Sequence, residues 1–101
     1  MFQQGKRSRT AHLDVFDSTS PLSYPRAGVV VPKHRRSAVE RNRLKRQLRE
    51  LVRAEVMPRL QRSEGKADVL VRARREAYLA TFSQLRDELI AWTERACSRG
   101  P

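Results

Sequence analysis

Apolar and polar residues alternate from residue 9 to residue 16. Ala11, Leu13 and Val15 fall on one side of an extended chain, with Thr10, His12, Asp14 and Phe16 on the other. A period of two predicts a strand over Arg9 to Phe16. The Ser, Thr and Pro content from Asp17 to Pro25 predicts a loop. Arg26 to Val31 ends in three consecutive valines, whose β-branched side chains suit a pleated sheet, and Pro32 stops the pairing. Ser37-Ala38-Val39-Glu40 has the form of a capping box and predicts a helix that runs to about Met57, ahead of Pro58. Ser63 to Lys66 reads as a turn. Asp68 to Arg74 is a third strand, with Val69, Val71 and Ala73 facing one way and Leu70, Arg72 and Arg74 the other. A second capping box, Thr81 to Gln84, opens a helix whose Phe82, Leu85, Leu89, Trp92 and Ala96 share one side and are expected to pack in the core. The order strand, strand, helix, strand, helix predicts an α/β sandwich with one small sheet and a right-handed crossover by default.

Length and charge narrow what such a sandwich can do. The 101 residues are read as one domain, residues 1–101, with 97–101 as a flexible tail. No apolar run approaches the about 18 residues a bilayer requires, and the N-terminus lacks the apolar stretch of a secretory signal, so the cytoplasm is the default compartment. Cys97 is the only cysteine, and His12 and His34 have no metal-ligand spacing. No nucleophile–base set, glycine-rich phosphate loop or cluster of carboxylates for catalytic magnesium is evident. The net charge is +11, from 18 Arg and 4 Lys against 11 acids. The bias to Arg is open to a genomic explanation, whereas the net charge predicts attraction to a polyanion. The charge is also localised: residues 1–53 carry 13 basic and 4 acidic side chains (13 − 4 = +9), and residues 54–101 carry 9 and 7 (9 − 7 = +2).

The first helix concentrates that charge. At about 100° per residue, Leu44, Leu48, Leu51 and Val52 share one side. Asn42, Arg46, Arg49 and Arg53 lie opposite, Arg43 adjoins them, and Arg41 and Lys45 flank the apolar stripe. Charge runs are commonly solvated helix faces, but those mix signs at i,i+4. Here the outward row has no acid until Glu50, a pattern that suits phosphates. Phe16, on the polar side of its strand, either stacks on an unpaired base or covers the edge of a helix.

Residues 38–50, AVERNRLKRQLRE, resemble the Arg-Asn-Arg signature of the bacterial ribonuclease P protein subunit. The Gly28-containing strand that ends in Lys33, the Phe2-x-x-Gly5-Lys6-Arg7 run, Phe16 and the 68–74 strand are similar to that family in order and spacing. The resemblance covers about Phe2 to Trp92. It implies a fold like the second domain of ribosomal protein S5, with an uncommon left-handed crossover at the signature helix in place of the default. It implies an accessory subunit with no catalytic or metal-binding residue of its own. The catalytic centre would lie in a magnesium-binding RNA that hydrolyses the 5′ leader from precursor tRNA. Arg41, Asn42, Arg43, Lys45, Arg46 and Arg49 would contact that RNA or adjoin the leader path, and Phe2, Phe16, Lys33 and Arg74 would line a cleft for the leader. The expected partners are ribonuclease P RNA, one protein per RNA, and precursor tRNA, with neither DNA nor a membrane.

The chain departs from the family pattern at three places. Relatives begin with a helix about a dozen residues longer, so either one cleft wall is shortened or the chain starts late. Lys33-His34-Arg35-Arg36 stands where relatives tend to have two lysines and a glycine, so the turn is expected to be rebuilt without glycine, with the role of His34 left open. Asp14 occupies the Phe16 face, where it would repel a phosphate. Two other functional classes fit the basic helix: a small ribosomal or RNA-chaperone protein, and an autonomous nuclease.

Overall fold

A computed structural model describes residues 6–19, 26–62 and 67–98. Phe2 and the Ser63–Lys66 turn lie outside the described residues. Four strands form one mixed sheet: β1 (Lys6–Arg9), β2 (Leu13–Thr19), β3 (Arg26–Val30) and β4 (Ala67–Ala73), in the order β1-β2-β4-β3. β1 pairs antiparallel with β2, β2 antiparallel with β4, and β3 parallel with β4 across a helical crossover. The architecture is the expected small sheet packed with helices.

The alternation read from the sequence sorts the sheet into two faces. Leu13, Val15, Val69, Val71 and Ala73 are buried with Leu44, Leu48, Leu51, Leu85, Leu89 and Trp92 in one core. Arg7, Arg9, Asp14, Phe16, Leu70 and Arg72 stand in register on the other face. Burying one Leu of this core is worth about 1.5–3 kcal/mol, so the helices are fixed on one side of the sheet only.

Several boundaries differ from the sequence expectation, and β2 runs on through Asp17 to Thr19, where a loop was expected. The strand placed over Arg9–Phe16 is two strands joined by a turn at Thr10–His12. Thr10 N–H donates to the Leu13 carbonyl at 2.8 Å, and Glu88 accepts from the Thr10 hydroxyl at 2.6 Å and from His12 N–H at 3.0 Å. Glu88 also meets His12 Nδ1. Backbone groups lost to the ladder are thus satisfied by a side chain of the last helix.

The first helix does not stop before Pro58. Helix α1 (Ala38–Leu51) passes into a wider π turn (Val52–Val56) and then into α2 (Met57–Arg62). In an α-helix the proline ring would meet the carbonyl four residues back; the widened turn relieves that clash and the chain stays helical. Helix α3 (Phe82–Ser98) includes Cys97, which the sequence placed in a flexible tail, and it buries Leu85, Leu89 and Trp92 as expected. Phe82, expected in that core, is 42% exposed. It is the first residue of α3, one turn ahead of the buried Leu85. A short 3-10 turn (Arg75–Leu79) that the sequence did not reveal joins β4 to α3.

Candidate nucleic-acid interface

The basic side of α1 begins with a formed cap. Ser37 Oγ accepts from Glu40 N–H at 3.2 Å while Glu40 accepts from Ser37 N–H at 3.2 Å. That reciprocal pair fixes where the helix starts, and Leu44, Leu48 and Leu51 turn its apolar stripe to the core. The opposite side is left to the cations. Among the described residues the side chains of Arg43, Lys45, Arg46 and Arg49 form no ion pair or hydrogen bond, and the row closes on Arg53 paired with Glu50 at 2.6 Å. Asn42, Lys45, Arg46 and Arg49 line an open groove of about 450 Å³. Arg43 faces the other flank of the helix, beside Gln47 and Phe82. Arg41 is partly withdrawn: its Nε donates to the Val31 carbonyl at 2.8 Å, tying α1 to the end of β3.

A second basic surface is the face of the sheet turned away from the core. The Arg7 guanidinium lies 6.0 Å from the centre of the Phe16 ring. Asp14 is 4% exposed and bridged by Arg7 at 3.4 Å and Arg9 at 3.5 Å, so two guanidinium groups answer one carboxylate and the trio stays positive. The repulsion expected from Asp14 is thereby offset. Arg72 is exposed on this face and has no partner among the described residues.

The turn after β3 is rebuilt without glycine. Arg36 N–H donates to the Lys33 carbonyl at 2.8 Å, and His34 and Arg35 have φ of 48° and 63°. Two consecutive left-handed residues define a type I′ geometry by their φ angles, at a cost of roughly 1–2 kcal/mol per side chain. Tyr78 braces the turn by donating its hydroxyl to the Pro32 carbonyl at 2.7 Å, and the Arg36 guanidinium lies 5.3 Å from its ring centre. Lys33 is left exposed at the start of this braced turn.

The chain matches the model of the family described as Ribonuclease P over residues 1–97. The chain belongs to the ribonuclease P family. A relative named "Ribonuclease P protein component" from Thermus scotoductus is 41% identical over 88 residues, which are 87% of this chain and 49% of that protein. The chain spans about half the length of the curated relatives it matches. The solved RNase P protein from Thermotoga maritima superimposes with a TM-score of 0.74 at 26% identity, over 93% of this chain and 86% of that one. The Staphylococcus aureus RNase P protein shares the fold, with a TM-score of 0.74 at 23% identity over 94% and 84% of the two chains.

Within this ribonuclease P family member the residues expected to bind leader do not all gather. Phe16, partly exposed, lies on the sheet face turned away from the core, and Phe2 falls outside the described residues. Arg74, with 22% of its side chain exposed, donates to the Thr10 and Ala11 carbonyls at 2.8 and 3.3 Å and pairs with Glu76 at 3.3 Å. Arg7, Arg9, Arg72 and Arg75, which the sequence expectation did not include, surround with the expected Arg74 a recess of about 370 Å³ that His34, Asp14 and Glu76 also line. The signal for Arg72 was present: strand alternation already set it on the Phe16 face. No group of three or more His, Cys, Asp or Glu among the described residues could hold a metal ion. No described helix is long and apolar enough to cross a membrane.

Proposed function

We propose that the chain is the protein subunit of ribonuclease P, which assists an RNA catalyst in removing the 5′ leader of precursor tRNA. The observation that carries this reading, beside the family, is the row of four cations on α1 without an acidic partner among the described residues. Arg43, Lys45, Arg46 and Arg49 hold ribonuclease P RNA by its phosphates, with Asn42 and the free donors of Arg41 beside them. The sheet face turned away from the core, with Phe16, Arg7 and Arg72, takes the single-stranded leader: cations track its backbone and Phe16 supplies a stacking surface. Lys33 extends this surface at the end of β3.

Hydrolysis in this reading belongs to the RNA and its magnesium, and the protein neutralises phosphates that would otherwise need more of that ion. One protein serves one RNA, in the cytoplasm. The test is cleavage of precursor tRNA by a bacterial ribonuclease P RNA at low magnesium. Cleavage that requires both components is expected. Cleavage by the purified protein alone would establish a nuclease instead, and no rescue of the cognate RNA would leave a general RNA-binding protein.

A further inference from the structure

Phe82 breaks the core pattern to which its spacing assigns it, and its surroundings give a use for the exposed ring. Helix α1 has two flanks. The flank away from the cationic groove forms a second groove of about 460 Å³ against the segment that leads into α3. Its floor includes the buried Leu44 and Ala77, Phe82 forms a wall, and Arg43 and Gln47 approach from α1. The side chains of Arg43 and Gln47 have no partner among the described residues. Glu40, the acid in this groove, is already occupied by Ser37 and by Arg36 at 3.3 Å. Val39 and Leu79, 78% and 77% exposed, extend the apolar character of the neighbouring surface.

An aromatic wall, an uncommitted amide and an uncommitted guanidinium match the three parts of a nucleotide. A base has an apolar face that stacks on Phe, a polar edge that an amide meets with one donor and one acceptor group, and a phosphate that Arg grips. The cationic groove on the other side of the same helix, with Arg46 and Arg49, selects a polyanion over an apolar peptide as the neighbour. We infer that this groove receives one unstacked base of the RNA lying along α1. Phe82 stacks on that base, Gln47 bonds its edge and Arg43 holds the adjoining phosphate. The inference rests on the reading of α1 as the RNA-facing helix.

The experiment titrates the full chain into a labelled bacterial ribonuclease P RNA at several salt concentrations, using Phe82→Ala, Phe82→Leu and Phe82→Trp. The alanine and leucine variants are expected to bind about 5- to 150-fold more weakly, the span of one stacked base removed. Their salt dependence should be unchanged because no charge is removed. The tryptophan variant should bind like the wild type. Leucine binding like the wild type, or tryptophan binding no better than leucine, overturns the stacking role. Phe82→Leu keeps an apolar residue at the start of α3, so the comparison of leucine with tryptophan decides even if alanine unfolds the chain. Arg46→Ala with Arg49→Ala separates the two readings. If that pair loses affinity and the Phe82 variants do not, the base groove alone fails; if neither loses it, α1 is not the RNA-facing helix. A wild-type dimer that Phe82→Ala dissociates, with RNA affinity unchanged, assigns the groove to protein contact and overturns the proposal.

Discussion

A guanidinium with no carboxylate beside it keeps its full set of donors for an outside ligand. Arg46 and Arg49 are in that state, while Arg41 and Arg74 spend donors on backbone carbonyls that hold the fold together. The difference is measurable. Arg46→Ala with Arg49→Ala should weaken binding to ribonuclease P RNA and flatten the plot of log affinity against log salt by about 0.7–0.9 for each phosphate no longer neutralised. An unchanged slope in the folded double variant would remove these residues from the phosphate-binding face. Arg74→Ala should act through stability, because its partners are Thr10 and Ala11 of the β1–β2 turn. At His34 and Arg35 the same economy runs the other way: two side chains accept left-handed backbone where glycine would be free of the cost, and Tyr78 holds the turn closed.

Helix α1 is positioned by its ends. Removing the cap with Ser37→Ala should lower stability by about 1 kcal/mol, read from urea unfolding near neutral pH. The cap also makes the helix sensitive to acid. The Ser37 backbone N–H, first among its causes, holds the Glu40 carboxyl below the usual carboxylate range, against an opposing desolvation and with help from the Ser37 hydroxyl and Arg36. A carboxyl whose pKa is depressed on folding contributes stability above its unfolded pKa, about 4.3, and loses it as the pH falls through the folded value. The stability gap between wild type and Glu40→Gln should therefore narrow as the pH is lowered from about 6 to about 3. A gap that stays constant across that window would show that the charge of Glu40 contributes nothing to the cap.

Both capping boxes were legible because a cap is a local event, settled by residues three apart. The break between β1 and β2 was not, because its decisive partner, Glu88, lies 76 residues from His12. The helix past Pro58 was missed for a related reason: a proline rule assumes α geometry, and the π turn ahead of it changes the geometry. Phe82 had the right spacing for the core but opens α3 one turn ahead of the buried Leu85, a position that periodicity does not encode.

Across the whole molecule the core separates two basic surfaces, the outward side of α1 and the sheet face turned away from it. They should be separable by mutation. Phe16→Ala is expected to weaken precursor tRNA binding in the assembled ribonucleoprotein while leaving mature tRNA and ribonuclease P RNA affinities as they were. Equal losses for precursor and mature tRNA would make Phe16 a structural residue. The strand order adds a consequence for how the molecule is made. β4 is the last strand in the chain and pairs with both β2 and β3, which do not pair with each other. The β1–β2 turn is clasped by Glu88, from later still. During synthesis α1 can therefore cap itself while the strands around it wait for their shared neighbour. Its leucines lack the β4 and α3 residues that share their core until those have left the ribosome, so the nascent chain passes through a stage in which it is already cationic and its sheet is not yet complete.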